Sequence, residues 1–153
     1  MNEVFNKEFT HLKIHTQYSI CEGALRTSDL AKYCKINQIK AVGLCDSNNL
    51  CGALEFSETI AKSKTQPIIG TQINIKYKDN IGKIPLFAKD LNGYKNLIKL
   101  SSKSFLEIKD DEEPHCKIED IEKNYEGLIL LSGTFDGLIG KLFFKNLTDE
   151  ISV

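Results

Sequence analysis

KAVGLC, residues 40–45, runs from one lysine into five small or branched apolar residues without alternation. A strand with one wet face alternates. A continuous apolar run suits a strand covered on both faces, as in a parallel sheet flanked by helices. Upstream, FTHLKI (9–14) alternates with period two and reads as a first strand. A loop containing Glu22-Gly23 follows, and Thr27 is the expected N-cap of a helix over 28–37. Asp29 falls in the first turn of that helix, and Leu30, Tyr33 and Cys34 share one side. Downstream, Asn48 or Asn49 is expected to cap a helix to about residue 63, with Leu50, Ala53, Leu54, Ser57 and Ala61 turned inward.

PIIGTQINIKY (67–77) reads as the third strand, with Pro67 at its tolerated first position. A turn around Asp79-Asn80 and Gly82 leads into KIPLFAK (83–89). Asp90 caps a helix with Leu91, Tyr94, Leu97 and Ile98 on one side. EIKDDEEPHC (107–116) is polar, acidic and broken by Pro114, hence a loop. A short helix (117–123), a strand GLILLS (127–132) and a helix over 136–144 complete the pattern. This order predicts an α/β fold with parallel strands.

Bulk properties exclude several classes. The 153 residues make one domain or a piece of one, and 41% hydrophobic with 27% charged content is ordinary for a globular chain. No apolar run approaches the roughly 18 residues that span a bilayer. The start, MNEVFNKEFT, lacks the basic and apolar regions of a secretory signal, so a cytoplasmic protein with no membrane partner is expected. Cys21, Cys34, Cys45, Cys51 and Cys116 include no CxxC pair, which argues against zinc and for buried free thiols. A net charge of −1 marks no dedicated DNA-gripping surface.

Sites in parallel α/β folds lie at the carboxyl ends of strands. His15, Asp46 and Gln72 each end or follow an expected strand, and Glu22 lies on the first loop. In HLKIHTQYS (11–19), His15 is preceded two positions earlier by Lys13. Two imidazoles at that spacing could share a metal, but an ammonium has no lone pair to give. His11, on the same side of the strand, is expected to be a hydrogen-bonded structural residue and His115 an exposed one. Asp46 is expected to bond the amides of the NNL turn (48–50). Gly52 is read as serving close packing rather than phosphate binding.

HLKIHTQYSICEG (11–23), LCDSNNLCGALEF (44–56), PIIGTQINI (67–75), NGYKNLIKL (92–100) and EGLILLSG (126–133) occur in an order that resembles a known family. It is the PHP (polymerase and histidinol phosphatase) domain that opens bacterial DNA polymerase III alpha subunits. The resemblance implies the first part of a distorted parallel β/α barrel. It divides the chain into an N-terminal extension (1–8), a partial domain (9–145) and a C-terminal tail (146–153), with the remaining strands expected past Val153.

Metal-binding members of the family carry an HxH pair, an acid before glycine, a TDH motif, a glutamate ending the third strand and a histidine opening the fourth. Here those places are taken by Lys13 and His15, by Glu22, by Cys45-Asp46-Ser47, by Gln72, and by a residue near Lys83. The resemblance therefore implies relic positions with no metal and no catalytic residue in this segment. Lys13, with Lys83 as a further candidate, would supply the charge that balances Glu22 and Asp46; the alternative is that the Lys13 ammonium simply reaches solvent. It also implies a scaffold that docks other subunits of the replicative polymerase, notably the proofreading exonuclease. DNA and magnesium would be engaged by the rest of the intact subunit. The competing expectations are a zinc- or manganese-dependent phosphoesterase, and a short product without activity.

Overall fold

The computed structural model describes residues 9–109, 111–145 and 147, and its sheet is built around one long strand, β2 (Gln66–Tyr77). β1 (Ala41–Ser47) lies parallel to it, with Ala41 opposite Gln66 and Ser47 opposite Gln72. β3 (Asn80–Ala88) returns antiparallel along the other edge, Tyr77 opposite Asn80 and Gly70 opposite Phe87. The α/β fold and its parallel β1–β2 pair are as expected, whereas the direction of β3 departs from the parallel pattern. Only Lys78 and Asp79 separate the two strands, far too little chain for a crossover, and Lys78 takes the positive φ of 52° that a tight turn demands. β4 (Cys116–Lys117) adds parallel to the far half of β2, at Ile75 and Lys76, and β5 (Leu128–Leu130) pairs antiparallel with β3.

The segment expected as a first strand follows β1 without forming a regular ladder. Ile14 makes a single parallel bridge to Leu44. Gly43 N–H donates to the His11 carbonyl at 2.8 Å, and Cys45 N–H to that of Ile14 at 2.8 Å. A Cβ at Gly43 would stand 2.5 Å from the Leu12 carbonyl oxygen, so this approach requires glycine. The expected extension (1–8) and all of the expected tail (146–153) except Leu147 lie outside the described residues.

Helices cover the sheet with shifts that have local causes. α1 (Thr27–Ile36) has Arg26, not Thr27, at its N-cap position; Thr27 is buried in the first turn, and its hydroxyl has no partner among the described residues. α2 (Ala53–Lys62) starts later than an asparagine cap would set it, because Asn49 serves the preceding turn instead. Its side-chain oxygen accepts from Cys51 N–H at 3.0 Å, and its amide donates to the carbonyls of Tyr18 and Ser47. The inward face of α2 is Ala53, Phe56 and Ile60, while Leu54, expected inside, is 72% exposed.

In α3 (Leu91–Leu106) the Asp90 cap is as expected, its carboxylate accepting from Gly93 N–H at 2.9 Å. The buried face runs through Gly93, Leu97 and Leu100, whereas Leu91 and Ile98, expected on that side, are largely exposed. α4 (Ile118–Lys123) and α5 (Leu138–Phe144) close the order. His115 is buried rather than exposed: its N–H donates to the Ser104 carbonyl at 3.1 Å as the chain enters β4.

Two apolar cores result. Val42 and Leu44 pack with Leu30, Cys34, Phe56 and Ile60 beneath α1 and α2. Ile73, Ile75, Ile84 and Leu86 pack with Leu97 and Leu100 of α3 and Leu138 of α5. Cys34, Cys45 and Cys116 are buried free thiols, while Cys21 and Cys51 are exposed. No helix among the described residues is long and apolar enough to cross a membrane.

Candidate functional site

The rim lies where β1 ends at Ser47 beside Gln72, which falls midway along β2 rather than at its expected end. The tight β2–β3 turn brings β3 back along β2 so that Lys83 stands opposite Asn74, two residues further on. Lys83, three residues into β3, can therefore reach Glu22 on the first loop: Nζ lies 2.9 Å from Oε1 across 61 residues of chain. The Ser47 hydroxyl, at the end of β1, donates to the other oxygen of Glu22. His15 Nδ1 stands 3.9 Å from that oxygen. The Ser47 hydroxyl and then the Lys83 ammonium hold the Glu22 carboxyl below its ordinary range, against a smaller opposing effect of burial. At 37% and 39% side-chain exposure the ion pair is partly screened by water.

Asp46 sits deeper and is not part of that pair. It is fully buried, and one carboxylate oxygen accepts from Thr16 N–H at 2.6 Å and the Ser19 hydroxyl at 2.7 Å. The other oxygen accepts from the Thr16 hydroxyl at 2.8 Å. These donors come from the first loop, not from the NNL turn as expected. Thr16 and Ser19 were not picked out from the sequence. Two hydroxyl residues three apart just beyond an expected strand were the available signal.

Ser19 also fixes His15. Its single proton goes to Asp46, so its oxygen accepts from Ser47 N–H at 3.2 Å and from His15 Nδ1–H at 3.3 Å. His15 accordingly carries a proton on Nδ1, and in its neutral form Nε2 is the lone-pair nitrogen. Burial, partly offset by Glu22, pushes its pKa below 6.5. An unfolded chain thus takes up this proton at higher pH than the folded one. The stability that His15 contributes is full above 6.5 and is lost as pH falls from there through the folded pKa. His15→Gln should flatten that part of a plot of urea midpoint against pH; an unchanged slope would show that His15 does not contribute it.

The other expected positions separate. Lys13 is exposed, and the ammonium on Glu22 is that of Lys83; Asp46 is balanced by neutral donors rather than by Lys13. Gln72 is buried opposite Ser47, its carbonyl accepting from Asn48 N–H at 2.8 Å, but its side-chain oxygen has no partner among the described residues. His11 is exposed, with its ring edge against Phe9 at 4.7 Å between centroids. Gly52 does serve close packing: the Tyr18 ring lies where a Cβ would stand, and the Tyr18 hydroxyl donates to Glu55 at 2.5 Å. Tyr18, Ile20, Cys51 and Phe105 border a cleft of about 450 Å³ that also takes in Glu22 and Ser47. Among the described residues, no group of three or more His, Cys, Asp and Glu side chains is placed to hold a metal ion.

Residues 11–152 match the PHP domain family, and the chain belongs to it. Among curated proteins it is similar to DNA polymerase III subunit alpha of Rickettsia felis, 42% identical over 146 residues, which are 94% of this chain and 12% of that protein. The corresponding subunit of Borreliella burgdorferi is 37% identical over 157 residues, covering 95% of this chain and 14% of that one. That of Caulobacter vibrioides is 35% identical over 163 residues, covering 99% and 14%. The chain thus spans about an eighth of the length of these relatives. A solved structure of a Bifidobacterium adolescentis protein, assigned to the metal-dependent phosphoesterases, has a TM-score of 0.51 and 18% identity. It covers 62% of this chain and 32% of its own, a likeness in fold.

Proposed function

We propose that this chain is a PHP segment of a replicative DNA polymerase III alpha subunit and acts as a non-catalytic scaffold that docks the proofreading exonuclease subunit. The observation that carries the reading is the donor set of the rim. Zinc and manganese need several lone pairs converging on one point. Here Lys83 and Ser47 offer protons, Gln72 a neutral amide, and Lys13 a cation. Glu22 is already engaged on both oxygens, which leaves His15 Nε2 without companions for a polynuclear centre. That set does not fit the family's metal group, so no reaction step is assigned to it.

In this reading nucleotidyl transfer belongs to the intact subunit, through magnesium held by carboxylates in another domain, and so does the main contact with DNA. The protein is placed in the cytoplasm, with the other polymerase subunits as partners. Support for the assignment comes from the similarity to named polymerase subunits along nearly all of this chain.

The test has two arms. Purified protein is expected to carry no stoichiometric zinc or manganese and to show no chelator-sensitive hydrolysis of a phosphomonoester or of single-stranded DNA. Titration calorimetry with the exonuclease subunit is expected to give saturable binding. Bound metal with hydrolysis that EDTA abolishes would establish the phosphoesterase reading instead, and absence of binding would remove the docking role.

A further inference from the structure

Metal sites gather lone pairs around a cation; this rim gathers protons around an anion. Glu22 is the centre, and it receives Lys83 Nζ on one oxygen and the Ser47 hydroxyl on the other, with the His15 ring 3.9 Å away. We infer that the Lys83 ammonium is a built-in replacement for a metal ion: it cross-links the first loop, the end of β1 and the start of β3 through Glu22, so that the rim holds together without a cofactor. The inference rests on the reading that no metal is held there, and it goes further by assigning the residue that does the holding.

Three features support it. The link is long-range, joining residues 61 apart in the chain, as a shared ion would. Lys83 is also anchored by its backbone. It stands opposite Asn74 in β2, and its N–H donates to the Asp136 carbonyl at 3.2 Å beside a bridge to Gly137. Less freedom is therefore lost when its side chain reaches Glu22 than for a lysine on a mobile loop. Finally, Ser47 supplies a second proton on the opposite side of the carboxylate, so both oxygens are satisfied. An isolated pair at this exposure contributes little; a carboxylate shared between two elements and anchored at both ends contributes more.

The test is a double-substitution cycle on the full chain, read by thermal unfolding with and without EDTA, manganese or zinc. Lys83→Met and Glu22→Gln should each lower the midpoint by about 2–4 °C. The double variant should fall little below the worse single, because both remove the same link. The parent midpoint should be unmoved by chelator or by either metal. Losses that simply add, in a parent indifferent to metal, would overturn this inference while leaving the scaffold reading intact. A parent midpoint raised by several degrees in manganese or zinc would overturn both. Should Lys83→Met fail to fold, Lys83→Gln runs the same cycle.

Discussion

Asp46→Ala is expected to lose about 3–5 kcal/mol of unfolding free energy in urea. The substitution strands three donors in a fully buried place: the Thr16 amide, the Thr16 hydroxyl and the Ser19 hydroxyl. Each buried donor left without a partner costs about 1–3 kcal/mol, and the three losses overlap because the loop can relax. Release of Ser19 also frees His15, so the pH dependence near the histidine range should change along with the midpoint. Asp46→Asn separates the causes. Its remaining oxygen can still accept from Thr16 N–H and Ser19, and the Thr16 hydroxyl can turn to accept from the new amide. Recovery of most of the loss would mark the residue as a hydrogen-bonding hub. A loss equal to that of alanine would show that the charge itself is what the loop requires.

The second large effect is Phe56→Ala, expected at about 3–5 kcal/mol, against less than about 0.5 kcal/mol for Leu54→Ala two residues away. Phe56 is wholly buried among Leu30, Val42, Leu44 and Ile60, and its removal opens a cavity that β1 cannot collapse to fill. Leu54 is 72% exposed. Comparable losses from the two changes, measured as urea midpoints at constant slope, would mean that α2 presents a different face to the sheet.

The contrast between these neighbours shows where sequence reading succeeds and where it stops. Strand cores such as AVGLC and INIKY, and the Asp90 cap, declare themselves locally, through continuous apolar character, period-two alternation or a side chain that bonds its own helix start. The facing of a helix is decided by what lies beneath it. In ALEFSETIAK both Leu54 and Phe56 are apolar; the stripe from Ala53 through Phe56 to Ile60 wins because it lies over β1 beside α1. The start of α2 shifts for a related reason: Asn49 looks like a cap, but Tyr18 and Ser47, brought there by tertiary structure, claim its amide.

The candidate site was legible as a set of positions and not as a set of partners. His15, Glu22, Ser47 and Lys83 do converge, yet nothing local says that Lys83 rather than Lys13 reaches Glu22. That choice follows from the direction of β3, which depends on a turn of only two residues. Thr16 and Ser19 escaped notice because hydroxyls in a loop are ordinary, and their importance appears only when a carboxylate 27 to 30 residues away is found buried against them.

The distribution of sulfur has a practical consequence. Burial pushes the thiols of Cys45 and Cys116 up to about 12 and raises that of Cys34, so none of these three forms the nucleophilic thiolate at neutral pH while the cores are closed. Cys21 and Cys51 stand open to solvent. An alkylating reagent therefore meets two accessible sulfurs on the native molecule and three more only as it opens. The chain carries its own chemical counter of unfolding, with silent positions in both halves of the interior.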